Sequence, residues 1–176
     1  MRELSLREAV PADAQAIARV HVRGWQIGYR GIVPDAVLDG LSVAQRQHDW
    51  LTRLSERRSD AAKSSTFVAE SQGELVGFAT VLAPGRGEDL GPRTCELAAL
   101  YVEPRRWRQG IGRALLRESM DVVRADGWAE LAAWVLAENA PARAFYERHG
   151  FAPDGARQEH ERSGETVVRL RAPLGG

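Results

Sequence analysis

The spacing of apolar residues changes several times along the first half of the chain. From Glu3 to Ala9, Leu4 and Leu6 alternate with polar neighbours, the two-residue period of a strand. Pro11-Ala12-Asp13 then opens a helix, because Ile17, Val20, His21 and Trp25 recur at helical spacing. Gly28 and Gly31 break that pattern, and Pro34 starts new helical structure. From Ser42 to Leu54, residues Val43, Trp50, Leu51 and Leu54 share one face, which predicts another helix. The polar run Glu56 to Ser65 reads as a loop. Thr66 to Glu70 and Leu75 to Leu82 read as two strands of a hairpin around Ser71-Gln72-Gly73-Glu74.

Ala83 to Thr94, with two prolines and three glycines, reads as a mobile connection. Cys95 to Val102 is an apolar strand. Ile111 to Ala125 is a helix whose inner face holds Leu115, Leu116, Val122 and Val123, closed by Gly127. Leu131 to Leu136 is a strand, and Pro141 to His149 a short helix closed by Gly150. Weaker strands at Ala156 to His160 and Thr166 to Leu170 end the chain. The order β-αα-β-β-β-α-β-α-β-β is neither a regular βαβ repeat nor two separate blocks. It predicts an α/β (α+β) fold, a mixed sheet with helices on both faces.

A length of 176 residues suits a single domain, and 44% hydrophobic residues suffice for a core. The formal net charge of zero argues against a dedicated nucleic-acid binder. Charges at Arg2, Glu3, Arg7 and Glu8 are unlike a signal peptide. The longest uncharged apolar runs, LAALYV and LAAWVLA, are too short to span a bilayer. A cytoplasmic protein without membrane attachment is therefore expected. Cys95 is the only cysteine, and the four histidines are scattered, so neither a disulfide nor a metal site is expected.

Glu96 to Leu116, ELAALYVEPRRWRQGIGRALL, carries the most chemical information. A strand ends at Val102, and Gly110-Ile111-Gly112 leads into a helix. A helix start exposes unpaired N–H groups and a partial positive charge, and glycine lets an anion approach the backbone. Arg105, Arg106, Arg108 and Arg113 crowd the same turn. The expected ligand carries a pyrophosphate. No G-K-[ST] follows, which excludes a P-loop, and Leu115 stands where a dinucleotide fingerprint needs glycine.

LYVEPRRWRQGIGRALL, followed after LAAWVL by ENAPARAFYERHGF, resembles the GNAT superfamily of acyl-CoA-dependent N-acetyltransferases. The N-terminal stretch HVRGWQIGYRGIVPDAVLD resembles a bacterial branch of it. The resemblance implies a mostly antiparallel sheet of about seven strands, splayed between the fourth and fifth. It implies acetyl-CoA as cosubstrate. The diphosphate would lie on the N–H groups of Arg108, Gln109, Gly110, Ile111, Gly112 and Arg113. The pantetheine arm would pair along Leu100, Tyr101 and Val102. Asn139 would touch the arm, and Tyr146 would point at the sulfur. One departure stands out: Trp107 occupies the family's usual Gln or Arg position.

Amide formation requires an ammonium of pKa about 10.4 to lose a proton and a thiolate to gain one. It also passes through an oxyanion that needs a donor. Tyr146, protonated at neutral pH, is the candidate acid, and Glu96, opening the fourth strand, the candidate base. Glu70, His21 and His160 are weaker candidates. Cys95 beside Glu96 reads as a small buried thiol rather than an acetyl carrier. The acceptor site would form from Trp25 to Leu41 and the Ala83–Thr94 connection, with Trp25, Tyr29 and Trp50 available to line it. The acceptor is a small-molecule, peptide or protein amine that the sequence does not narrow. A homodimer stays open. The alternative is a fold-mate that binds acyl-CoA as a signal without catalysis.

Overall fold

The computed structural model describes residues 4–56, 63–86 and 89–175. Seven strands form one sheet in the order β1-β2-β3-β4-β5-β7-β6. They are β1 Leu4–Glu8, β2 Lys63–Ser71, β3 Glu74–Ala83, β4 Thr94–Val102, β5 Glu130–Leu136, β6 Ala152–Glu159 and β7 Thr166–Pro173. Only β4 and β5 run parallel, and every other pair is antiparallel. The helices are α1 Ala14–Gly28, α2 Asp35–Asp39, α3 Val43–Ser55, α4 Ile111–Ala125 and α5 Ala140–Glu147.

Helices cover both faces. On one, Ile111, Leu115, Leu116 and Val123 of α4 pack with Val76, Val81, Cys95, Leu97 and Leu131, and Ala142, Phe145 and Tyr146 of α5 join them. On the other, Ile17, Ala18 and Val20 of α1 and Trp50 of α3 pack on Val68 and Phe78. The α4 approach is close. A Cβ on Gly77 would stand 3.0 Å from both Leu115 Cδ1 and the Tyr101 carbonyl oxygen. That glycine lets α4 settle onto β3 and fixes where its N-terminus emerges.

Local chemistry agrees with the sequence at most boundaries. Ser42 caps α3 by accepting the Gln45 N–H at 3.2 Å. Gln72 and Gly73, at φ 57° and 77°, make the two-residue turn between β2 and β3, of the primed kind that matches strand twist. The structure departs from expectation at two strands. β2 begins at Lys63, not Thr66, because Lys63 to Ser65 pair with Val81 to Ala83. β6 begins at Ala152, not Ala156, and its register shifts between Pro153 and Arg157. It is an exposed edge strand, so no apolar alternation marks it. Much of the expected Glu56–Ser65 loop, and part of the Ala83–Thr94 connection, lies outside the described residues. No described helix is long and apolar enough to cross a membrane.

His21 of α1 lies between the sheet and α3. Its ring packs 4.7 Å from that of Tyr101, and its Nδ1 accepts the Trp50 Nε1–H at 3.3 Å. Burial, reinforced by the charges of Arg46, Arg162 and Arg53, pushes its pKa from 6.5 down to about 3. As pH falls below 6.5, the unfolded imidazole gains a proton that the folded one refuses until about pH 3, so stability drops across that window. Carboxylates begin to matter only below about pH 5. His21→Gln keeps an acceptor for Trp50 and is expected to flatten the melting temperature between about pH 6.5 and 5. A residual slope is expected from His160, whose pKa burial also lowers. Calorimetry showing the full slope in the variant would remove this account.

Candidate active site

Thr94 to Leu97 of β4 pair with Glu130 to Ala133 of β5, and the pairing stops there although both strands continue. At the same place β4 gains a residue relative to β3: Thr80 faces Ala99 while Val81 faces Leu97, so Ala98 is a bulge. Beyond it the Glu103 N–H donates to the Val76 carbonyl on β3. The alternation of an antiparallel ladder then turns the N–H and C=O of Leu100 and Val102 toward the gap.

The N-terminus of α4 lies at the mouth of this gap. Gly110, at φ 82°, precedes the helix, and Arg108 takes a left-handed φ of 64°. Among the described residues, none of the N–H groups from Arg108 to Arg113 finds an acceptor; the first to do so is Ala114, bonded to Gly110. A Cβ on Gly112 would meet only Phe145 and Val102 at ordinary contact, 3.7–3.8 Å. The chain itself therefore does not need a glycine there. Six outward N–H groups, a helix dipole and the exposed Arg108 and Arg113 suit a bound diphosphate.

Gap and turn open into a cavity of about 560 Å³. Leu97 to Val102 form one wall, the α4 start the floor, and Asn139, Pro141, Ala142, Phe145, Tyr146 and Arg148 the far side. Asn139 caps α5, its Oδ1 accepting the Ala142 N–H at 3.2 Å, which leaves its amide nitrogen to the cavity. Tyr146 packs edge-on against Phe145 and Phe151, at 5.3 and 5.2 Å between ring centroids. Gln109 turns away, its Nε2 donating to the Arg105 carbonyl at 3.3 Å, so only its backbone faces the site.

Trp107 fills its unusual position with a specific contact. Its Nε1–H donates to the Val102 carbonyl at 2.8 Å, and the indole lies beside Gly28 at the end of α1. The Tyr101 side chain goes to the α1 face. Its hydroxyl accepts the Trp25 Nε1–H at 2.8 Å and meets the Tyr29 hydroxyl at 3.2 Å. Trp25 is a core residue that does not line the cavity, whereas Tyr29 does. Trp50 is buried in the core against Phe78. Burial pushes the hydroxyls of Tyr29, Tyr101 and Tyr146 above the ordinary phenol range, so all three stay protonated at neutral pH.

Glu96 is 2% exposed, on the α1 side of the bulge. Arg86 holds its carboxylate completely: the backbone N–H donates at 3.0 Å, Nε at 3.2 Å and an Nη at 2.5 Å. Arg86 lies in the β3–β4 connection, and nothing in its spacing from Glu96 marks the pair in the sequence. Arg148, Phe145 and the exposed Ile27 also line the cavity and went unnoticed as site residues. They lie within the stretches ENAPARAFYERHGF and HVRGWQIGYRGIVPDAVLD, and nothing else in the sequence marks them. Glu70 is engaged by Arg7 at 2.5 Å on the β1–β2 edge. Cys95 is buried, and burial lifts its thiol to about 12. Among the described residues, no three His, Cys, Asp or Glu side chains converge as metal ligands.

The acetyltransferase (GNAT) family pattern matches residues 35–151. A Bacillus subtilis protein described as the uncharacterized N-acetyltransferase YuaI is 33% identical, with 83% of this chain and 79% of that one aligned. The L-amino acid N-acetyltransferase AaaT of Escherichia coli is 28% identical over 95% and 94% of the two chains. The aminoglycoside N(6')-acetyltransferase type 1 of Stenotrophomonas maltophilia is 31% identical over 97% and 94%. In fold, the PaiA N-acetyltransferase of Thermoplasma acidophilum, solved in complex with coenzyme A, superposes with a TM-score of 0.75 at 18% identity, over 97% and 99% of the chains. A parted parallel strand pair, an open helix start beneath it and these matches agree: the chain belongs to the GNAT family of acetyltransferases.

Proposed function

We infer that this acetyltransferase moves an acetyl group from acetyl-CoA to an amine by direct attack within a ternary complex. The observation that carries this reading is the gap between β4 and β5, with the unpaired N–H groups of Arg108 to Arg113 at its mouth. Leu100 and the Val102 N–H would hold the pantetheine amides, and the Asn139 amide nitrogen would reach the same arm. When bound, acetyl-CoA supplies an activated thioester.

The chain's own groups then manage two protons. The Tyr146 hydroxyl, kept protonated by burial, would donate to the departing sulfur. Glu96 would take the amine proton. Because Arg86 now occupies both carboxylate oxygens, that role requires Arg86 to move aside or a water to relay the proton. Arg86 is solvent-exposed but Glu96 is buried, so Arg86 can leave only as the incoming ammonium or a water takes over its hydrogen bonds to the carboxylate. Cys95 has no part in the reading, being buried on the α4 face with a thiol that stays protonated. The relatives named for L-amino acid and aminoglycoside acetylation support an amine as acceptor without choosing one.

Gly112→Ala separates cofactor binding from folding. The melting temperature is expected to hold, while calorimetric affinity for coenzyme A falls about tenfold because the new methyl obstructs the N–H groups. Unchanged affinity would mean the diphosphate lies elsewhere. Gly110 is a poorer probe, since its φ of 82° adds backbone strain.

In a thiol-release assay over a panel of amines, Tyr146→Phe is expected to lower kcat about a hundredfold with coenzyme A affinity retained. Glu96→Gln is expected to cost a similar factor, most at low pH where the amine is most protonated. Full turnover in both variants would remove the proposed acid and base. Cys95→Ala should keep near wild-type turnover, and native protein at pH 8 should resist iodoacetamide until denatured. Loss of turnover in that variant, with the fold intact, would instead favour an acetyl-enzyme route.

A further inference from the structure

The face of β4 opposite α4 collects arginines. Arg46 of α3 is 9% exposed, yet its guanidinium makes no hydrogen bond among the described residues. Its ion pair there is a 3.5 Å approach to Asp49, itself partly in solvent. The stem is buried while the guanidinium nitrogens keep contact with solvent, so five N–H donors are open to a ligand. One turn along the same helix Trp50 donates to His21, whose ring lies against Tyr101 of β4. Arg53 stacks over the Trp50 ring at 5.2 Å. Across the cleft, His160 in the β6–β7 turn packs 5.2 Å from Trp25, and Arg162 follows two residues later on an exposed site. Glu96 lies on the same side but is neutralised by Arg86.

The charge balance at Arg46 points one way. Burial holds its pKa below the ordinary guanidinium value, and the repulsion from Arg162 outweighs the attraction of Asp49. The Arg46 charge also acts on the Tyr101 hydroxyl and on His160, so all three lie on the same side of the sheet within electrostatic reach of one another. The two imidazoles add no positive charge: burial lowers the pKa of both His21 and His160 and keeps them neutral at pH 7. The acids nearby are Asp49, Glu161 and the occupied Glu96.

Resting on the acetyl-transfer reading above, we propose that the acceptor is a small amine bearing an oxyanion, a carboxylate in the simplest case, which docks on Arg46 with help from Arg162. The anion supplies acceptor atoms that the Arg46 guanidinium otherwise finds only in solvent, and relieves its repulsion with Arg162. Polycationic acceptors such as polyamines or aminoglycosides would bring more positive charge to the same space and are disfavoured.

The test compares matched amines: an amino acid series, the same compounds as α-carboxamides, and spermidine. Thiol release from acetyl-CoA is the readout. The carboxylates are expected to exceed their amides in kcat/KM by about ten- to a hundredfold, the range of one charge-assisted contact. Arg46→Met should erase most of that preference through KM, with kcat for the amides retained and coenzyme A affinity unchanged. Arg46→Lys should restore part of it. Should Arg46→Met unfold, Arg162→Gln, on an exposed turn, is expected to reduce the preference several-fold in a folded protein. Amides or spermidine turning over as well as the carboxylates would overturn this inference and leave acetyl transfer standing. Carboxylate preference undiminished in both the Arg46 and Arg162 variants would do the same. No thiol release with any amine, while coenzyme A still binds, would defeat acetyl transfer itself and this proposal with it.

Discussion

A strand that loses its neighbour partway must find other partners for its N–H and C=O groups, or leave them to a ligand. β4 faces that problem from Ala98 onward. It has full antiparallel support from β3 on one side, and on the other only the four-residue contact with β5. The bulge at Ala98 lets both conditions hold, because it re-aims the strand just where the parallel pairing ends. α4 fills the space beneath through the close approach at Gly77, and α5 and the β5–α5 turn close the far wall. The cavity and the open helix start at its mouth both follow from this one interrupted ladder.

The two faces of β4 then divide the chemistry. Leu97, Leu100 and Val102 pack toward α4 and α5, where the open turn at Gly110 and Tyr146 lie. Tyr101 and Glu96 face the other way, toward the aromatic and arginine-rich side formed by α1, α3 and the β6–β7 turn. The two substrates can therefore approach from opposite sides and meet where the strands separate. Tyr101 ties the halves together: its backbone is paired to β3 between Leu100 and Val102, whose polar groups face the gap, while its ring touches His21, Phe78 and Gly24.

Much of this was legible in the sequence. The Ile111–Ala125 helix matches to the residue, since glycine and a strongly amphipathic run mark both ends. The hairpin turn and the Ser42 cap were equally plain, being local chemistry. β6 was misplaced because an exposed edge strand has no buried face to impose alternation. At the site, the backbone-based positions near Gly110 were readable, for they depend on helix geometry alone. Partnerships across the fold were not. Arg86 and Glu96 are joined through a connection whose path no pattern encodes, and Trp25 satisfies its indole on a tyrosine 76 residues away. Arg46 read as one more polar position on an amphipathic helix, and only the packing of α3 shows it to be buried.

The Trp107 indole has a further consequence. Its N–H already uses the Val102 carbonyl, the acceptor at the open edge of β4 that a strand-like ligand arm would seek first. An incoming amide must either take that oxygen from the indole, exchanging one bond for another, or share it. Either way, binding at this position changes the number of hydrogen bonds little. In the proposed binding mode the hold on coenzyme A would then come mainly from the phosphate end. The reactive end of the ligand would be the more loosely held one, free to adjust as the acceptor arrives.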